Sequence, residues 1–533
     1  MRAVVVTVAA VLASTGAAAP FYLSDLGYID NTVSPPICYL PDLAQPGSSS
    51  RQMPIGPESG NAVGAQWGDI VWYNPRDPDT GVGDWDSKID SLIVAGRAVT
   101  VTIVDKTWDA TRGIWIDANP VSGGVVAFSG IALGWATDGD TVTLQMRDNL
   151  AVLEQPIQTS FYSGAGSAQG TANNANDPLP KLRGFVSNVT PVLIDPTNSI
   201  YQLNDGAISG LTVLEGGIAG FTHVGDFATY AALAAATVTA GNYATCLALG
   251  YFRLGVTPVY AITCNLFGAF PSGFVTTSLV DLVVSVLEED CGIASGSINV
   301  ANFNAVESAL GSPQGGIYTG TDTPTAIDLI GELLGGLGCS VGTDLNGLID
   351  IFLMVDPNTG PTAVASFTTG HILDGVQSIA LPDSVAMPNW RRSVSYIPNY
   401  TVLSGNDLKP AVTQAQRQFF GAPYSRQSYV AAGVRTLWPL SLDAPLVISR
   451  MNSAARALAM VTAMGQLWGA QRYLYDLPFP RDVILPAAGA AVEIGDVIAA
   501  TYPLGKLASG INCLVVGMSP DLDANTVTLR VFL

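Results

Sequence analysis

Apolar and polar residues alternate with a period of two at both ends of this chain. Val99, Val101 and Ile103 alternate with Thr100 and Thr102, and Val142, Leu144 and Met146 alternate with Thr141, Thr143, Gln145 and Arg147. Near the C-terminus, Val527, Leu529, Val531 and Leu533 alternate with Thr526, Thr528 and Arg530. Successive side chains of a strand point to opposite faces, so each run predicts a strand with one buried face. Asn74-Pro75 and Asp138-Gly139 supply turn signals between such runs. The apolar run Val4–Val8 is β-branched and predicts a first strand. The stretch Ser163 to Pro180 is rich in Gly, Ala, Ser and Asn and reads as a loop or extended arm.

The period changes in the middle. Leu279, Leu282, Val283, Val286 and Leu287 fall at helical spacing, with Thr276, Thr277 and Ser278 as cap candidates and Gly292 as a stop. A second helix starts at Thr323-Pro324, carries Leu329, Ile330, Leu333 and Leu334 on one face, and ends at Gly335-Gly336. Asn346-Gly347, between Cys339–Thr343 and Leu348–Leu353, predicts a hairpin. The expected class is mainly β with α+β insertions. It comprises a first tube-like β-barrel over 1–160, a loop arm and strands returning to that barrel over 161–270, and a small α+β module over 271–365. A second tube-like barrel follows over 366–533, with a helix near 451–468.

An internal echo supports the pairing of the two ends. Thr141-Val142-Thr143-Leu144-Gln145-Met146 resembles Thr526-Val527-Thr528-Leu529-Arg530-Val531, and each follows an apolar strand containing a glycine, Gly134 or Gly517. Upstream, Gly68-Asp69-Ile70-Val71 is echoed by Gly495-Asp496-Val497-Ile498.

Composition narrows the role. Only 12% of the 533 residues are charged, against about 25% in ordinary soluble domains. That points either to a membrane protein or to one that hides surface against other subunits. The longest uncharged run, Phe227–Phe252, is broken by Gly241, Asn242 and tyrosines and does not read as a spanning helix. The assembly reading is preferred. The formal charge of −20 opposes nucleic-acid binding through phosphate neutralisation but suits a channel wall past which DNA slides. Ala3–Ala13 followed by Ser14–Ala19 imitates a secretory signal with a small-residue cleavage site, so a secreted acidic surface or adhesion protein is the alternative reading.

Candidate chemistry is sparse, and no catalytic, cofactor or metal residue is assigned. The six cysteines form no C-x-x-C pair, and no phosphate-loop motif occurs. Gly335, Gly336 and Gly338 lack the rest of a dinucleotide fingerprint and read as a helix end. His223 and His371 read as ordinary loop or core histidines. Glu288-Glu289-Asp290 is the compact acidic group that a cell-wall glycosidase would need, but it ends an amphipathic helix and reads as a solvated face. Asp77, Asp79, Asp84, Asp86 and Asp90 make the densest acidic loop. Counting from Asp77, an EF-hand would need Gly and Glu where Val82 and Lys88 stand, so a solvated turn is expected.

Several blocks resemble the tail hub proteins of long-tailed phages and gene transfer agents, which are related to the baseplate hub of contractile phages. They are Phe21-Tyr22-Leu23-Ser24-Asp25-Leu26-Gly27-Tyr28, then Trp67-Gly68-Asp69-Ile70-Val71 with Asn74-Pro75 and Gly96-Arg97. Next come Ala240-Gly241-Asn242-Tyr243-Ala244-Thr245 with Gly250-Tyr251-Phe252-Arg253-Leu254-Gly255. The last are Pro398-Asn399-Tyr400-Thr401-Val402 and Leu504-Gly505-Lys506 through Gly510. Pro258-Val259-Tyr260 departs from the family's Pro-x-Gly. The resemblance implies a non-enzymatic virion protein at the tail tip, assembled in the host cytoplasm as a homotrimer. It would contact the tail tube or distal tail protein above, tip or fibre proteins below and the tape measure protein within, and DNA would pass through its lumen. The resemblance also implies a threefold tip beneath a tube of six-subunit rings, a mismatch that two similar barrels per chain would bridge.

Overall fold

The computed structural model describes residues 1–56, 62–117, 120–268, 278–486 and 491–533. It is mainly β, and an eight-stranded sheet lies at each end of the chain. In the first, seven strands bond in the order Phe21–Ser24, Arg2–Val8, Ala98–Asp109, Val125–Thr137, Thr141–Arg147, Ile70–Tyr73, Leu43–Gln45, and Ile114–Asp117 pairs with Ala98–Asp109 off this path. The chain leading into Leu43–Gln45 closes this path. Leu40 exchanges backbone bonds with Tyr22 (3.1 Å) and Ser24 (2.6 Å), and Asp42 O accepts from Tyr73 N (2.9 Å). One segment therefore touches both edges of the sheet, and the barrel has no open seam there.

The period-two runs turn their apolar residues inward. Val99, Val101, Ile103, Val142 and Leu144 lie in one core with Ile70 and Trp72. Arg2–Val8 does not alternate because both of its faces are covered. Val4, Val6 and Val8 face the barrel core, while Ala3 and Val5 pack under Tyr28 and Tyr39 of a small outer hairpin.

The second sheet runs Ala365–Phe367, Val497–Ala500, Ile511–Asp521, Thr526–Phe532, Leu474–Pro480, Gln377–Ile379, and its other two strands, Ser49–Gln52 and Gly64–Trp67, join it off this path. It is closed in the same manner. Ala365–Phe367 pairs with one edge strand, Gln377–Ile379 pairs with the other, and Leu373 N between them donates to Pro478 O at 2.8 Å.

The echo of Thr141–Met146 with Thr526–Val531 is structural down to the register. Leu144 faces Trp135 and Gln145 faces Gly134; Leu529 faces Met518 and Arg530 faces Gly517. Immediately before each glycine the ladder slips by one residue, at Leu133 and at Val516. The next strand matches too. Gly96 N bonds Ala132 O and Ala132 N bonds Arg97 O, both at 2.8 Å, while Gly495 N bonds Val515 O and Val515 N bonds Asp496 O, also at 2.8 Å. Gly96 and Gly495 have φ of 72° and 90°, where a Cβ is strained.

The second echo is corrected by the same comparison. Ile70–Tyr73 lies beside the later hairpin strand, Thr141–Arg147, whereas Val497–Ala500 lies beside the earlier one, Ile511–Asp521. The counterpart of Gly495-Asp496 is Gly96-Arg97. The likeness to Gly68-Asp69 is a short chance match in a chain rich in glycine and β-branched residues.

The middle of the chain departs from expectation. Strands between 181 and 267 do not return to the first barrel. They form two sheets, one joined by Gly316–Thr319, around cores of their own that contain Leu182, Val186, Phe252 and Leu266. Leu279–Ser285 is helical as the spacing indicates and continues as a π turn to Asp290; Thr276 and Thr277 lie outside the described residues. Ala326–Leu334 is capped by Thr325, and Cys339–Thr343 pairs with Ile349–Leu353. A third helix, Val300–Leu310, escaped the periodicity because Asn and Ala separate its apolar Phe303, Val306 and Leu310. The helix Ala454–Trp468 contributes Ala457, Val461 and Met464 to the core of these three helices, so most of its buried face serves the helical module.

Leu144 and Leu529 are fully buried at equivalent positions. Leu144→Ala and Leu529→Ala should each cost about 2–5 kcal/mol. Both barrels share one continuous apolar cluster, so both variants should shift the same cooperative transition in denaturant monitored by near-ultraviolet circular dichroism. Two separated transitions would show the barrels to be independent.

Candidate functional site at the junction of the barrels

An arm leaves the first barrel between Leu43–Gln45 and Ile70–Tyr73 and joins the second. Its strand Ser49–Gln52 pairs antiparallel with Gly64–Trp67 on one side and with Ile511–Asp521 on the other. Gln52 faces Gly517, Arg51 faces Met518, and Met53 N donates to Val516 O at 2.8 Å. The bulge at Val516 makes this possible, since past it the long strand has left Val497–Ala500 and has an edge free for the arm.

Charged pairs fasten the joint. Arg51 is 2% exposed; it donates to Glu493 Oε1 at 2.8 Å and also to Thr343 O. The other Glu493 oxygen accepts from Leu345 N at 2.7 Å. Burial pushes the Glu493 carboxyl up from its ordinary range, and Arg51 pulls it back. Arg530 binds Asp476 through two nitrogens at 2.7 and 2.8 Å and reaches the arm at Gln52 Oε1, 2.7 Å away. A second clasp starts from the first strand, where Arg2 spans Asp105 (3.2 Å) of its own barrel and Asp482 (2.6 Å) of the other.

A cleft of about 800 Å³ opens beside this joint, lined among others by Asn302, Asp344, Asp350, Glu493 and Asp496. Its carboxylates are committed locally. Asp350 accepts from Asn299 and Asn302 (2.9 and 2.7 Å), Asp344 from Leu348 N (2.8 Å), and Asp496 from Glu493 N (2.8 Å). Burial pushes Asp350 and Asp496 upward. These groups brace turns and strand ends, and among the described residues no cluster suited to a metal ion occurs.

The residues singled out from sequence are scattered. His223 Nε2 lies 3.0 Å from Thr245 Oγ1, and His371 Nδ1 accepts from Thr368 N at 3.2 Å within an exposed turn. Asp77 accepts from Asp79 N and Thr80 N, and Asp86 accepts from Asn74 and Gly83 N, which hold both below the usual carboxylate range. The reading of Glu288-Glu289-Asp290 as a solvated face holds for Glu288, which is exposed, and is corrected for Glu289 and Asp290. The Asp290 side chain is 2% exposed and binds Lys181 (2.7 Å) and Arg183 (3.1 Å), with Glu289 3.6 Å from Arg183. Sequence reasoning missed Arg2, Arg51 and Glu493, whose partners lie hundreds of residues away.

No protein-family model matches the chain, and no curated protein matches it in sequence. Among solved structures it aligns with a 43 kDa tail protein of prophage MuSo2 from Shewanella oneidensis at 10% identity, covering 100% of this chain and 98% of that one with a TM-score of 0.38. A tail protein from Neisseria meningitidis MC58 aligns at 9% identity over 100% of this chain and 96% of that one, TM-score 0.39. A chain from the virion of a native gene transfer agent particle aligns at 13% identity over 72% of this chain and 91% of that one, TM-score 0.40.

Arg51→Met leaves Glu493 buried without its cation and should destabilise the protein by about 3–5 kcal/mol. Adding Glu493→Leu should recover most of that loss in the double variant. Chemical denaturation of the two single variants and the double one measures the coupling, and simple additivity would remove Arg51–Glu493 as the fastening of the joint.

Proposed function

We propose that this chain is the hub subunit of a phage-type tail, a structural protein that joins the tail tube to the tip as a trimeric ring around the DNA ejection channel. The observation that carries this reading is the register-matched pair of barrels in one chain. A protein with two equivalent barrels offers two similar docking positions, so three chains offer six, the number that a tube of six-subunit rings presents. The blocks that resemble tail hubs support it, and so does a composition low in charge, which suits extensive contact with neighbouring subunits. In this role the chain works through its surfaces, without a cofactor, and binds the tube or distal tail protein, tip or fibre proteins and the tape measure.

DNA passes the ring without being held, because 43 acidic residues outnumber 23 basic ones and each retained phosphate contact would add salt-dependent affinity.

Negative-stain imaging of particles labelled on this chain should place three copies in a ring at the tail tip. A monomer in the particle, or clearing of peptidoglycan by the purified chain in a zymogram, would overturn the reading. Gel-shift titration should show no DNA binding at physiological ionic strength, and retention at that salt would remove the channel role.

A further inference from the structure

The two matched hairpins differ in one respect. In the second barrel, the strand past the bulge is covered by the arm, and a Cβ placed on Gly517 would meet Arg51 O at 3.2 Å. In the first barrel the equivalent stretch, Leu133–Thr137, has no strand on that side among the described residues. Leu133 is 54% exposed, and a Cβ on Gly134 would meet nothing within 4 Å. The stretch Leu-Gly-Trp-Ala-Thr contains neither charge nor proline, the usual protections of an edge left in water.

The chain also carries a candidate cover. The arm that covers the second barrel is inserted between two neighbouring strands of the first, Leu43–Gln45 and Ile70–Tyr73. The equivalent neighbours in the second barrel, Gln377–Ile379 and Leu474–Pro480, likewise enclose an insertion, residues 380–473. That insertion holds Leu437, Leu440 and Leu442, which are 72%, 77% and 72% exposed within six residues. Three leucines so bare, from the end of the short helix Val434–Leu437 through the turn after it, are what a contact surface requires.

We infer that the uncovered edge Leu133–Thr137 of one copy is the docking site for the second-barrel insertion of another copy, with Leu437–Leu442 lying over it. Each barrel then covers the next by its insertion, once within the chain and once between chains. The inference rests on the ring reading and names the surface by which copies join. The intrachain joint is its template, with the same bulge, the same glycine and the same side of the same strand. A head-to-tail contact of this kind closes into a ring when the rotation allows.

Leu133→Lys and Leu440→Lys test it. Both side chains are exposed in the single chain, so its melting temperature should be unchanged. Gly134→Lys is the third variant, because its side chain enters open space. Each should raise the dissociation constant of the assembly by at least about tenfold, since closing the joint would bury an unpaired charge, read by sedimentation velocity across a concentration series. Mixing Leu133→Cys with Leu440→Cys chains, both in a Cys38→Ser background, should give a disulfide-linked pair on oxidation. An oligomer that survives all three lysine variants and yields no such cross-link would overturn the inference while leaving a ring intact. Wild-type chains that remain monomeric both in solution and in the particle would remove the ring reading itself.

Discussion

A strand can share backbone hydrogen bonds with two neighbours at a time, and the strand Ile511–Asp521 has three. It reconciles them at Val516, where one extra residue ends the pairing with Val497–Ala500 and opens an edge for Ser49–Gln52. Most of the architecture follows from that exchange. It draws the first barrel's arm across the molecule and places Arg51 opposite Glu493. It also merges the apolar interiors of the two ends into one cluster. Gly517 is the residue that lets the arm approach, and the bulge supplies the change of direction.

Charge is used sparingly and where it holds distant parts in register. Arg2, Arg51 and Arg183 have almost fully buried side chains, each facing a carboxylate from a remote part of the sequence. A buried ion pair adds little net stability compared with an apolar pair of the same shape, yet a mismatched partner is costly. In a chain this rich in Val, Thr and Ala, many strand pairings are close in energy. A wrong pairing would leave one of these arginines buried without its carboxylate.

The strands at the two ends were legible in the sequence because each has one buried face, and the hairpin Thr141–Arg147 with its partner was legible twice over through its echo. The first strand was legible from its β-branching alone, since covering both faces removes the alternation. What stayed hidden depended on distance along the chain or on weak local signals. Glu288-Glu289-Asp290 carries every mark of an exposed helix end, and Glu288 is one, but nothing nearby announces that Lys181 and Arg183 reach Glu289 and Asp290. The Gly-Asp echo misled because a glycine before a strand reports a positive φ, which many turns need, and not a position in a barrel. The strands between 181 and 267 were assigned to the wrong body because alternation reveals that a face is buried but not against what.

The arm has a consequence for the order in which the protein acquires its shape. Arg51 emerges from the ribosome 467 residues before Met518, whose sulfur it contacts. At synthesis rates of about 5–20 residues per second, that interval lasts roughly 20–90 s. Until then, of the two strands that flank Ser49–Gln52 in the finished fold, only Gly64–Trp67 has been made. The joint between the two ends can close only after the last strands are translated.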